Sequence, residues 1–130
     1  MDLGILGEKK EVVTKEKAAD RLGSGLLPVY ATPAMVALME ATCLESVADE
    51  IGSDNDTVGI AIDVKHLAAS PVGEEITCKS ELVEIDRKRL VFHVEAFDRH
   101  EKIGEGIHQR FIINPEKFME KAQAKLKDQD

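Results

Sequence analysis

Three polar side chains stand where the surrounding pattern calls for something else: Thr32 at the entry of a helical segment, Glu40 eight positions later, and His66 at the end of an apolar strand face. A carboxylate, an imidazole and a hydroxyl are together the groups of acyl transfer. The carboxylate can activate water or attack a carbonyl, the imidazole can orient it, stabilise charge or relay a proton, and the hydroxyl can bond the carboxylate or the substrate. Burying an unpaired carboxylate costs on the order of several kcal/mol, so Glu40 needs a partner or a wet cleft, and a nearby His would supply the partner. Singly, each residue has an ordinary structural explanation: a helix cap for Thr32, a helix rim for Glu40, a satisfied core histidine for His66.

Periodicity predicts the elements that must position these residues. Thr32 to Ile51 reads as a helix, with Thr32 as N-cap, Pro33 at the first helical position and Gly52 as the stop. At about 100° per residue, Val36, Glu40, Cys43, Leu44, Val47 and Ile51 share one stripe and Thr42, Glu45 and Asp49 lie opposite, which sets Glu40 inside the apolar face. After a turn at Ser53–Asp56, alternation places Val58, Ile60, Ile62, Val64 and His66 on one strand face and Gly59, Ala61, Asp63 and Lys65 on the other. Three more strands are expected at Glu75–Asp86, Leu90–Phe97 and Ile103–Ile113, joined by linkers short enough for antiparallel hairpins. Upstream, Glu8–Ala18 is expected to hold an edge strand, and Arg21–Tyr30, with Gly23 and Gly25, a Gly-rich loop or lid. Asn114–Lys127 reads as a closing amphipathic helix anchored by Phe118, Ala122 and Leu126. The class is α+β: a strand, one long helix, then an antiparallel meander. One helix covers one face of such a sheet, so a second protomer is expected.

The composition sets the limits. A chain of 130 residues, 43% hydrophobic and 32% charged, is one domain (residues 1–130) with enough apolar surface for a core. Its net charge of −8 and five aromatic residues argue against a nucleic-acid partner, which would want a basic face or a stacking platform. Cys43 and Cys78 lack CxxC spacing, which excludes the common zinc-ribbon and thioredoxin motifs, and they read as buried thiols in a reducing compartment. The apolar patch of Leu3, Ile5 and Leu6 is too short for a signal-peptide core, and no run approaches the roughly 18 apolar residues of a membrane span. No membrane contact and a cytoplasmic location are therefore expected.

The element order, the segment Thr32-Pro-Ala-Met-Val-Ala-Leu-Met-Glu40 and the later Val64-Lys-His66-Leu resemble hotdog-fold thioesterases, specifically the fluoroacetyl-CoA thioesterase-like group, over roughly Glu8–Asn114. The resemblance implies an antiparallel sheet wrapped around a long central helix and an acyl-CoA substrate, with Thr32, Glu40 and His66 as catalytic residues. It also implies a homodimer with each active site at the subunit interface; no metal or organic cofactor is expected. Gly59 would bring backbone close to the thioester carbonyl, or else simply tolerate a bend. Gly106-Ile-His108-Gln-Arg110 resembles a polar signature of the group. Arg110 and His108 there share a strand face, to meet substrate or an interface carboxylate, or to lie on an exposed sheet face; His93 and His100 read as surface residues. One departure limits what carries over: the group's fluoroacetyl-CoA enzyme has a phenylalanine-based lid, whereas Arg21–Tyr30 contains no Phe and only Tyr30. A short or otherwise small acyl group is expected, and the missing phenylalanine argues against fluorinated selectivity. Two rivals remain: a hotdog hydratase or dehydratase acting on an intact thioester, and a non-catalytic acyl-CoA-binding dimer in which Glu40 and His66 pair structurally.

Overall fold

Two tight turns set the register of the central hairpins. Arg87 takes a left-handed φ of 58° at the first, and the Asp98 carboxylate accepts from the backbone N–H groups of His100 (2.8 Å) and Glu101 (2.9 Å) at the second. The computed structural model describes residues 1–127. In chain order they form β1 (Leu6–Val12), a short helix α1 (Ala19–Leu22), the long helix α2 (Thr32–Val47), β2 (Asp56–His66), β3 (Glu75–Asp86), β4 (Arg89–Phe97), β5 (Lys102–Ile113) and α3 (Pro115–Ala124). The strands make one sheet in the order β1-β3-β4-β5-β2, every neighbouring pair antiparallel, and the sheet curls around α2. This is the expected hotdog arrangement, with β1 and β2 as its edges.

The core lies between α2 and the inner sheet face. Met35, Leu38, Met39, Cys43 and Val47 of the helix meet Ile76, Cys78 and Leu82 of β3 and Leu90, Phe92, Val94 and Ala96 of β4. Each large side chain of this kind contributes roughly 1.5–3 kcal/mol by leaving water. Both cysteines are buried free thiols, as expected, and burial pushes them up to about 12 for Cys43 and about 11 for Cys78.

The helix differs from expectation in phase and in both ends. Its buried face is Ala34, Met35, Leu38, Met39, Thr42, Cys43 and Val47, so Thr42 lies inward, donating to the Leu38 carbonyl at 2.7 Å, while Val36, Glu40 and Leu44 sit half-buried on the flank. Because α2 is apolar nearly all round, helical periodicity alone selects no single face. Ala31, not Thr32, occupies the N-cap position, and the helix ends at Val47 rather than Ile51.

β2 departs from simple alternation as well. Gly59 pairs with Arg110 and Ala61 with Gln109, leaving Ile60 as the extra residue of a β-bulge. Ahead of the bulge Thr57 and Gly59 face the helix; beyond it Ile62, Val64 and His66 do. Val58, opposite Phe111, therefore faces away from His66 instead of sharing its side. At the chain's other end, Asn114 caps α3 by accepting from the Lys117 N–H at 3.0 Å. The expected anchors do not hold this helix down: Phe118, Ala122 and Leu126 are all exposed, and α3 buries none of its residues against the rest of the described chain.

Close approach of β2 to β5 depends on Gly106. A Cβ there would collide with the backbone of Asp63 and Val64, whereas one at Gly104 would meet chiefly the flexible end of Met35. Gly106→Ala should cost about 1–3 kcal/mol, read as a lower melting temperature, and Gly104→Ala should cost less because Met35 can move aside.

Candidate active site

With Ala31 at the N-cap, the Thr32 side chain is free of capping duty and turns toward the end of β2. Its Oγ1 lies 2.8 Å from Nδ1 of His66. The Tyr30 ring stands edge-on to the imidazole, with centroids 6.3 Å apart at 85°. Tyr30 is itself pinned, its buried hydroxyl donating to Glu11 at 2.5 Å, and Glu11 also receives the Lys17 ammonium at 2.5 Å. The imidazole is thus braced by a hydroxyl and a ring, while its Nε2 is buried without a hydrogen-bond partner among the described residues. A cleft of about 370 Å³, lined by Val29, Tyr30, Thr32, His66 and Leu67, opens beside it.

The second group lies farther along α2. The half-exposed Glu40 carboxylate sits 3.7 Å from Nη1 of Arg110 and 4.0 Å from Nε2 of His108. Arg110 is buried and well held: Nε donates to Thr57 Oγ1 at 2.8 Å, Nη2 to the Thr57 carbonyl at 2.7 Å, and Nη1 lies 3.1 Å from His108 Nε2. Gly59 forms the floor, where an added Cβ would stand 2.6 Å from the Glu40 oxygen. A side chain at this position would push the carboxylate aside and crowd the buried His108 ring, which a Cβ would approach to 3.1 Å.

The candidates therefore fall into two clusters. Thr32 is joined to His66, and Glu40 to Arg110, His108 and Gly59; among the described residues no hydrogen bond or ion pair links Glu40 to His66. Eight residues of helix separate Thr32 from Glu40, or about 12 Å along the axis. His108 and Arg110 face inward rather than lying on an exposed sheet face. His100 is an exposed loop residue 3.6 Å from Glu74, and His93 is half-buried on β4. Sequence reasoning passed over Thr57, the main anchor of Arg110, and Glu11, the anchor of Tyr30. Thr57 carried no signal because its inward placement depends on the bulge that follows it.

Burial holds His66 below the usual histidine range, with a backbone contact at Ala68 opposing. Burial does the same to His108, and the Arg110 charge adds to the effect while the Ala61 carbonyl and Glu40 oppose it. Each imidazole is consequently neutral near pH 7.

Comparison with known proteins bears on what such a site does. The profile of a family described as fluoroacetyl-CoA-specific thioesterase matches residues 13–116. The fluoroacetyl-CoA thioesterase of Streptantibioticus cattleyicolor is 39% identical over 97 residues, covering 75% of this chain and 70% of that protein. A solved structure of the fluoroacetyl-CoA thioesterase FlK superposes with a TM-score of 0.90 at 34% identity, covering 96% of this chain and 97% of its own. A Thermus thermophilus protein described as a thioesterase superfamily member superposes at 0.86 with 25% identity, covering 98% and 93% of the two chains.

The depressed histidines fix the sign of a pH effect. Each binds its proton more readily unfolded, at about 6.5, than folded, so their stabilising contribution is complete above that pH and is lost as pH falls through about 6.5 toward the folded values. The melting temperature should be level above about pH 7 and decline below about 6.5; a flat profile down to pH 5 would show that neither imidazole is held neutral.

Proposed function

The chain belongs to the fluoroacetyl-CoA-specific thioesterase family and is a thioester hydrolase, and from that premise we propose that it cleaves a short or small acyl-CoA at a site composed from two protomers in the cytoplasm. The observation that carries this reading is the division of the polar residues into two clusters, neither of which holds a carboxylate, an imidazole and a hydroxyl in mutual contact. Antiparallel pairing of β2 with the β2 of a second copy, about a two-fold axis near Ile62, would bring the Glu40 cluster of one protomer to the His66 cluster of the other. Two exposures support such pairing. β2 is an open edge, with Ile60 exposed at the bulge and Ile62 only partly covered on the helix side, and the half-buried flank of α2 presents Val36, Glu40 and Leu44 beside it.

In that arrangement Glu40 acts as the base toward water or as the nucleophile toward the thioester carbonyl. The mechanism takes the Thr32 hydroxyl, 2.8 Å from Nδ1 of His66, as the donor, so that the ring proton lies on Nε2, which has no partner among the described residues. That N–H then stabilises the developing oxyanion or orients the carboxylate. Collapse of the tetrahedral intermediate expels a thiolate of pKa near about 8.5, so no strong acid is needed at the sulfur. Gly59 and Arg110, which flank the Glu40 carboxylate, would meet the substrate there. The loop over the His66 cleft turns Leu26 and Leu27 to solvent and carries no phenylalanine, which argues against selection for fluorine.

Thiol release measured over acyl-CoAs from acetyl to long-chain, fluoroacetyl included, tests the reaction; a hydratase would leave the thioester whole. Glu40→Gln and His66→Ala should each fall by at least about 10²-fold, and full activity in Glu40→Gln would remove that residue from the mechanism. Subunit exchange tests the shared site. Mixing the two inactive variants should restore about one quarter of wild-type activity, because half the dimers become mixed and each of those holds one intact site. No recovery after demonstrated exchange would return the site to a single chain.

A further inference from the structure

His108 is 1% exposed and uses both ring nitrogens. Nδ1 lies 2.8 Å from the Ala61 carbonyl, which can only accept, so Nδ1 carries the proton. Nε2 is then a bare lone pair, and Nη1 of Arg110, a donor, sits 3.1 Å from it. We propose that His108 is a positioning residue, locked as the Nδ1–H tautomer so that Nε2 accepts from Arg110, fixes the guanidinium plane and thereby places the charge that faces Glu40. The proposal rests on the reading that Glu40 carries the hydrolysis.

The geometry gives His108 something that Thr57 cannot supply. Thr57 takes two donors of the guanidinium, Nε and Nη2, which define one edge of a planar group and leave it free to tilt about that edge. A third contact on Nη1 removes the tilt, and Nη1 is also the nitrogen 3.7 Å from the Glu40 carboxylate. The other end of His108 holds the carbonyl of Ala61, the first paired residue beyond the bulge, while Gly59, the last one before it, forms the floor under Glu40. One buried imidazole thus ties the bulge that shapes the floor to the cation that faces the carboxylate. At 4.0 Å its Nε2 is beyond hydrogen-bond distance of Glu40, so it acts through Arg110 rather than on the reacting atoms.

Two substitutions separate its nitrogens. Asparagine places an amide where Nδ1 stands, keeping a donor for Ala61 but losing the acceptor for Arg110; glutamine reaches the Nε2 position and keeps the acceptor. In the dimeric protein, His108→Asn should lower kcat at least about tenfold with little change in KM, and His108→Gln should recover most of that loss. Nitrogen NMR of the wild type should show His108 as the Nδ1–H tautomer. Equal kcat losses in the two variants, losses that follow melting temperature rather than the nitrogen replaced, or the opposite tautomer would overturn the proposal. Glu40→Gln run in parallel distinguishes the two levels. Full activity there defeats the underlying reading, whereas an inactive Glu40→Gln beside a fully active His108→Asn defeats only the role of His108.

Discussion

Side chains alternate along a regular strand, and Gly59 and His66 are an odd number of residues apart, so a regular β2 would send them to opposite faces of the sheet. The extra residue at Ile60 resets the alternation and turns both toward α2. Nearly everything polar in the candidate site depends on that one irregularity. Thr57 turns inward to hold Arg110, Gly59 slides beneath Glu40, and His66 still reaches Thr32 at the helix entry. Deleting the bulge would preserve the strand's hydrogen bonds with β5 and yet dissolve one cluster or the other.

That dependence explains which features the sequence disclosed. Strand β3 was legible to the residue, and β2, β4 and β5 nearly so, because alternation and turn residues are local signals. Thr32, Glu40 and His66 stood out because each interrupts an apolar pattern. The phase of α2 was not legible, since a helix apolar on nearly every side presents several equivalent stripes, and the choice among them is made by the sheet it meets. The bulge was equally silent: Val58-Gly59-Ile60-Ala61-Ile62 reads as good alternation, and only pairing against Arg110 and Gln109 exposes the extra residue. The anchors assigned to α3 failed for a related reason, because an amphipathic face in the sequence does not say whether its cover lies on the same chain.

Burying an arginine and a histidine beside an aliphatic core is costly unless their hydrogen bonds are made. Here the guanidinium has three partners and the imidazole two. The two buried thiols nearby behave differently. Burial holds Cys43 and Cys78 far from the thiolate form near neutrality, so they pack as small hydrophobes.

The two edges of the sheet are unlike. β1 reads Leu-Gly-Glu-Lys-Lys-Glu-Val, with Lys9 paired to Glu45 and Glu11 to Lys17. A foreign strand approaching this edge meets a row of mixed, already engaged charges, the kind of rim that discourages edge-to-edge stacking. β2 has no comparable row across Val58-Gly59-Ile60-Ala61-Ile62. A sheet with one charged rim and one open rim can add a copy of itself only once in register. In the proposed dimer the two open rims would cover each other and leave only charged rims outward, so the asymmetry that allows one pairing would also stop a second.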